Sequence, residues 1–554
     1  MAATNNWSND SMENQHLNQA NFQNPTSKKT SLSERNKKSL RQSIKKTFFE
    51  YCSNTSIHGI KYFGENRSWT ERLIWIFVFI VSLYWCVDAL REIAHKYQET
   101  PVIVSFSDKS TDIWKLPFPA VTICSDIKRR KPKDDLYDFA DLIILYNEEP
   151  LPVALILEYD GKLQEFLTML QICPGSLPVN NTLIPLVRKP MDYFKILDKM
   201  VPNFEMTYRK CYWFNNDACD QLLTKTYTDE GICYTFNGLS ATDLYREDTV
   251  QYQRMLIETA TDSMSALNRT LDWSLAEGYA ANSPIHTYPA RTLKSGARTG
   301  FQLGVKNLKE DVDIGCSGPT RGLKILLHSP DDVQIVGENF VRLSMNRQAS
   351  IAVKPQMMTT SKAIEQFTPE QRQCLMPGER YLKFFKVYTE KNCELECLTN
   401  FTLAQCGCVR FAMPRTQDMR VCGVQDIECY GEAASKLSAI YFSGDSQIST
   451  NKCNCLPACT SLDYEIEISE SNFKAEALEN ETMVELFEFA HLHVYYKDNK
   501  FFTSHRSELY GYYDFIANCG GIFGLFMGVS LLSVFEILYH ITLRLWNNSK
   551  VKEN

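Results

Sequence analysis

Two apolar runs stand out from a chain that otherwise mixes polar and hydrophobic positions. Leu73 to Val87, LIWIFVFIVSLYWCV, carries no charge over fifteen residues, and Phe515 to Phe535 carries none over twenty-one. A bilayer span needs about 20 residues of helix. The first run must therefore continue through DALREI to Ile93, with Asp88, Arg91 and Glu92 turned toward protein or the outer interface. The second, bracketed by Asp514 and Glu536, suffices as it stands, at about 32 Å as one continuous helix. Membrane spans are accordingly expected at 72–93 and 514–540.

Between the spans the pattern changes period repeatedly. PVIVSF (Pro101 to Phe106) and FPAVTIC (Phe118 to Cys124) are β-branched runs with prolines at their edges, hence strands. Residues 134–172 and 191–224 read mainly as helix. GICYTFN (Gly231 to Asn237), runs such as LKILLH and IAVKP, and the alternating YEIEIS (Tyr464 to Ser469) return to strand. Segment 381–443 mixes helical spacing with dense cysteine, and no internal repeat is visible. The pattern predicts an α+β unit over 94–513. Residues 1–45, rich in Asn, Gln, Ser and Lys, read as a disordered tail. Residues 46–71 contain FFEYCSNTSIHGIKYF, more apolar and expected to be structured against the membrane.

Charge fixes the expected orientation. Lys28, Lys29, Arg35, Lys37, Lys38, Arg41, Lys45 and Lys46 precede the first span, with Arg67 and Arg72 beside it, and Arg544, Lys550 and Lys552 follow the second. Positive flanks favour the cytosol, so both termini, including the tail 541–554, are placed inside and 94–513 outside. The formal net charge of -7 gives no hint of a nucleic-acid partner.

Cysteine usage agrees with that topology. Of nineteen cysteines, Cys52 and Cys86 lie near the front and Cys519 near the end. The other sixteen are Cys124, Cys173, Cys211, Cys219, Cys233, Cys316, Cys374, Cys393, Cys397, Cys406, Cys408, Cys422, Cys429, Cys453, Cys455 and Cys459. An even, bounded set reads as a disulfide framework made in an oxidising compartment. Zinc is the alternative, but CNCLPAC and CGC contain no repeated C-x-x-C pair and histidines are scarce. Asn180, Asn268, Asn400 and Asn480 are glycosylation candidates in the outer segment; Asn6, Asn9, Asn54, Asn66 and Asn547 match the same pattern outside it.

The second span, CGGIFGLFMGVSLLSVFE, poses a question of its own. Each interior glycine costs a helix roughly 1 kcal/mol relative to alanine. Ala517, Gly521, Gly524 and Gly528 recur at intervals that share one helix face, and Gly520 joins the same sector. Ser530 and Glu536 follow. Such a face serves as a packing seam that only joins helices. It equally serves as a constriction where carbonyls and hydroxyls replace a cation's hydration shell. Spacing does not choose between the two.

Longer motifs do. GGIFGLFMGVSLLSVFE resembles the second membrane helix of the degenerin/epithelial sodium channel family, with its G-x-S tripeptide at Gly528, Val529 and Ser530. SIHG resembles that family's cytosolic His-Gly motif, at His58 and Gly59. FPAVTIC, GICYTFN and the run from CLMPGERYLKFF to CNCLPACTSLDYE are similar to its ectodomain, and TLDWSLAEGY and YPAR look most like the insect pickpocket branch. The likeness extends from about residue 40 to 545.

The resemblance implies a homo- or heterotrimer of related subunits, two spans each, around a disulfide-rich ectodomain of palm, thumb, finger, knuckle and β-ball parts. It implies an amiloride-sensitive, sodium-selective channel of the plasma membrane with Gly528, Val529 and Ser530 as selectivity filter. Ala517 would be the degenerin gating position, Gly520, Gly521 and Gly524 the pore-helix packing, and Glu536 the acid of the cytosolic pore mouth. His58 and Gly59 would set open probability. No cofactor is implied, only permeant sodium, and an extracellular ligand is left unidentified. Acid-sensing residues do not carry over by motif. KRRK, Lys128 to Lys131, sits too near the first strand to read as an activating cleavage site. A two-span cysteine-rich receptor or lipid-binding protein without a pore is the competing reading. An ectoenzyme ranks third, since His491 and His493 form no catalytic constellation.

Overall fold

The computed structural model describes residues 41–65, 67–99, 102–129, 160–173, 191–202, 207–214, 217–219, 222–261, 271, 273–284, 287–311, 316, 320–443, 453–509 and 511–550. Most of the expected tail, residues 134–159, part of KRRK, and the sequons at Asn66, Asn180 and Asn268 lie outside them. The chain divides into two compact units, one of 1–100 with 510–554 and one of 101–509.

In the first unit, helix α1 covers 41–54 and the short helix Lys61–Gly64 precedes α2, Trp69–Glu99. At 31 residues α2 outruns the expected 72–93. It holds neither proline nor glycine, and the i,i+4 pairs Glu92–Lys96 and His95–Glu99 support its polar end. It is long and apolar enough to cross a membrane.

The second span departs from expectation. It is two helices, α3 (Tyr512–Met527) and α4 (Leu531–Tyr539), and the run bends by 66° at the break. The reason is local. Gly528 adopts φ +67, a left-handed conformation that needs no side chain to be displaced. Its N–H bonds Gly524 O, and Val529 N–H reaches back to Phe523 O, closing α3 in a Schellman-like turn. Two residues later Ser530 opens α4 as an N-cap, in a reciprocal box with Ser533. Gly528 therefore leaves the face shared by Ala517, Gly521 and Gly524, and costs the helix nothing. After α4 the chain passes through a π-turn, His540–Arg544, into Leu545–Lys550.

The second unit is built on two sheets. In chain order the strands are β1 Val102–Phe106, β2 Ala120–Ser125, β3 Tyr208–Trp213, β4 Asp217–Ala218, β5 Leu223–Thr228, β6 Gly231–Phe236, β7 Phe301–Leu308, β8 Gly322–His328, β9 Val341–Ser344, β10 Arg347–Thr360, β11 Ser461–Asn472, β12 Phe487–Tyr496 and β13 Ser504–Glu508. The larger sheet runs β1-β13-β10-β12-β7-β3-β4 with β11 also on β10; the smaller runs β9-β8-β2-β6-β5. β10 is antiparallel to β11 and parallel to β12 and β13.

Alternation fills the space between the sheets. Phe301, Leu303 and Val305 of β7, Ala349, Ile351 and Val353 of β10, and Ala490, Leu492 and Val494 of β12 are buried against Val121, Ile123, Phe236, Leu323 and Ile325. Among the described residues of 191–224, Tyr193–Met200 is helix, and β3, β4 and the start of β5 lie where helix was expected. YRKCYW and LTKTYT are aromatic and β-branched, and they gain cross-strand partners in β7 and β6 that outweigh helical propensity.

All sixteen cysteines between the two apolar runs pair: 124–233, 173–316, 211–219, 374–459, 393–455, 397–453, 406–429 and 408–422. Five of these bridges fall within 374–459, clamping the helix Glu390–Cys406, here α5, to the segment 453–459 and to the turns around it. Cys52, Cys86 and Cys519 stay unpaired.

Candidate functional site

The break between α3 and α4 is the one place where an apolar span turns its backbone out of helix, and a second segment meets it there. His58 N–H donates to Met527 O at 2.9 Å. Ser82 Oγ of α2 donates to Phe526 O at 2.6 Å, so two carbonyls of the last turn of α3 are held by neighbouring segments. Ser56 Oγ lies 2.8 Å from Ser533 Oγ, which also contacts Ser530 Oγ at 3.2 Å, giving a chain of three hydroxyls across the break.

The approach of His58 is close. A Cβ built on Gly528 would lie 2.8 to 2.9 Å from three atoms of the His58 ring. Gly59, beside it, also has positive φ, +87, and its own Cβ would press on Phe79 of α2 at 3.3 Å. Only glycine serves both positions without strain. The segment is tied further along by Glu50 of α1, whose carboxylate accepts from Arg544 Nε at 2.9 Å, and by Tyr51, whose ring meets that of buried His540 at 5.3 Å.

The remaining expected residues are placed as follows. Ala517, Gly520 and Gly521 are exposed along α3 and Gly524 is half-buried; a Cβ on any of the three glycines would meet nothing within 4 Å. Val529 is half-buried and Ser530 exposed. Glu536 is half-buried in α4, one and a half turns past Ser530, and its carbonyl accepts from His540 N–H. In the other unit Asn400 is exposed on α5, and Asn480 is exposed as the N-cap of Glu481–Leu486.

Sequence reasoning missed Ser56, Ser82, Ser533, Glu50 and Arg544. Ser530 and Ser533, three apart after a glycine, carry a stop-and-start signal that was there to be read. The contacts of Ser56, Ser82 and Glu50 join positions more than 440 residues apart, and no local pattern encodes them.

Chemically, the break offers hydroxyls and backbone dipoles and no nucleophile–base pair. Such a set suits contact with a partly dehydrated cation rather than bond making. Among the described residues, Cys408, Cys422 and Asp426 come near one another as metal ligands would, but the two sulfurs are bonded to each other.

Comparison with known proteins adds an independent line. The family model described as amiloride-sensitive sodium channel matches residues 51–540. Pickpocket protein 28 of Drosophila melanogaster is 28% identical over 523 residues, covering 91% of this chain and 79% of that protein. The sodium channel protein Nach of the same fly is 24% identical over 531 residues, 92% and 89% of the two chains. The human bile acid-sensitive ion channel is 22% identical over 509 residues, 90% and 86%.

Proposed function

The chain belongs to the amiloride-sensitive sodium channel family, and from that premise we propose that the Gly528–Ser530 break is the sodium-selecting level of a trimeric, amiloride-sensitive channel. The protein is a sodium channel subunit of the plasma membrane and not an enzyme. The observation that carries the finer reading is the break itself. A helix that merely anchored an ectodomain would have no use for a left-handed glycine and a serine cap in mid-span, nor for a second segment bonded beneath them.

On this reading the open glycine face of α3 is where three copies approach their axis, and α4 diverges below it. Ser530 and the backbone from Gly528 line the narrowest level, and Glu536 sits toward the cytosolic mouth. His58 and Gly59 brace the filter from beneath, and both termini are cytosolic. Helices in lipid gain little from apolar contact, so a bare glycine face favours close approach of like helices.

The test is ion preference. Replacing Ser530 with alanine, or with a larger residue, should shift the reversal potential under mixed sodium and potassium. Currents of wild-type size with unchanged preference would remove Ser530 from the filter.

A further inference from the structure

The 101–509 unit offers two N-x-T acceptor sequences among its described residues, Asn400 and Asn480, and the fold treats them in opposite ways. The motif requires a hydroxyl two residues past the asparagine. An enzyme that transfers a sugar must therefore reach both side chains together. On extended chain, residues i and i+2 point to one side; on a helix they lie about 200° apart.

Asn400 sits within α5, and the helix divides its motif. The asparagine is exposed, while Thr402 is 0% exposed and its Oγ is buried with no hydrogen-bond partner. Glu396 and Thr399, six and three residues earlier, are buried in line with it. Three bridges fasten the helix: Cys393–Cys455, Cys397–Cys453 and Cys406–Cys429. Each joins α5 to a cysteine further along the chain, so the helix is clamped only after those later segments have been made. While α5 is intact, the Thr402 hydroxyl stays out of an enzyme's reach.

Asn480, in the loop 473–486 between β11 and β12, is arranged differently. It is exposed, its backbone is extended (φ -70, ψ 149), and it is the N-cap of Glu481–Leu486. An N-cap asparagine ordinarily spends its side chain on the first N–H groups of the helix; here it makes no such bond. Thr482 is exposed as well, and the helix buries none of its six residues, so little packing opposes its opening. No cysteine lies in 460–509, so no bridge anchors this segment.

We propose that Asn480 accepts an N-linked oligosaccharide whether or not the unit has folded, and that Asn400 accepts one only before α5 forms. In the transfer, the carboxamide Nδ2 attacks C1 of the first N-acetylglucosamine of a lipid diphosphate-linked oligosaccharide. The bond from C1 to the phosphate oxygen breaks, the lipid diphosphate leaves with the electron pair, and the carboxamide gives one proton to a base of the transferase. The order of folding and transfer thus decides the state of Asn400. This rests on the proposed placement of 101–509 outside the cytosol.

The test is site-resolved mass spectrometry of the full chain expressed in cells, with and without dithiothreitol during synthesis. Enzymatic release of the sugars in heavy-oxygen water leaves a labelled aspartate at each occupied asparagine. Asn480 should be occupied to the same extent in both conditions. Asn400 should be several-fold more occupied with the reductant, which delays the three bridges. The double variant Cys453→Ser with Cys455→Ser, lacking two of them, should raise Asn400 occupancy without any reductant. An unoccupied Asn480, occupancy there that changes with reductant, or equal occupancy of Asn400 in all conditions would overturn the proposal. Thiol mapping of the same protein separates the two claims. No sugar at either site with all sixteen cysteines oxidised rejects the sites and leaves the topology; no sugar with those thiols free rejects the topology and the sites with it.

Discussion

His58 stands directly against Gly528: a methyl group at position 528 would sit 2.8 Å from the His58 Cγ. One residue comes from the loop after α1 and the other from the break in the second span. Their closeness explains why the span tolerates a glycine in a left-handed turn there, since any side chain would collide with the ring that braces it.

Gly528→Ala should be doubly unfavourable. The left-handed conformation alone costs a residue with a Cβ roughly 1–2 kcal/mol, and the clash with His58 adds to that. Removing the ring with His58→Ala should recover the clash and not the strain. Thermal melts of the purified chain in detergent check this through a double-mutant cycle, with a coupling above about 0.5 kcal/mol expected. Additive effects would mean that the two residues do not touch.

The Glu50–Arg544 pair fastens α1 to the π-turn after α4, beside the contact of Tyr51 with His540. Both side chains remain partly exposed, 25% and 39%, so solvent screens the pair and its contribution to stability is small. Reversing either charge alone should change steady-state current by roughly two- to fivefold. The swap Glu50→Arg with Arg544→Glu should restore much of it. A swap no better than its parts would show that the pair does not couple the segments.

His328 and Asp331 give the 101–509 unit opposed pH dependences. The folded pKa of His328, about 4, lies below its ordinary 6.5. The unfolded chain therefore binds the extra proton, and stability is lost as pH falls from about 6.5 toward 4, by up to about 3 kcal/mol. Asp331 is raised instead, so its contribution is present in acid and lost as pH rises through its folded pKa. The slopes oppose one another in the same window, and the wild-type melting profile hides both. The difference between wild type and His328→Gln isolates the histidine. The variant should gain on wild type as pH drops below 6.5, and parallel profiles would contradict a buried neutral imidazole.

Much of this architecture is legible in the sequence because it rests on local pattern. β1, β2, β6, β8 and β11 coincide with β-branched or alternating runs, and α2 with the first apolar run. The sixteen cysteines could be counted but not paired, since spacing does not encode which sulfurs the fold brings together. Helix was expected where β3 lies because its partner β7 is distant in sequence, whereas β5 pairs with its chain neighbour β6. The second span was expected as one helix because hydropathy records solvent and not backbone conformation; the glycine stop at Gly528 and the serine start at Ser530 mark the bend, and the sequence reading passed over them. The family likeness implied that His58 and Gly59 set open probability but not the contact of His58 with Gly528, and the contacts of Ser56, Ser82 and Arg544 had no local sequence signal.

The central claim, that the broken span lines a sodium pore, is tested most directly at Ala517. It is exposed on the helix face that carries Gly521 and Gly524. Voltage-clamp of cells expressing Ala517→Val, alone and together with a pickpocket relative, should show a standing inward sodium current that amiloride blocks and that wild type lacks. Equal currents from wild type and variant, with both chains shown to reach the cell surface in both conditions, would contradict the account.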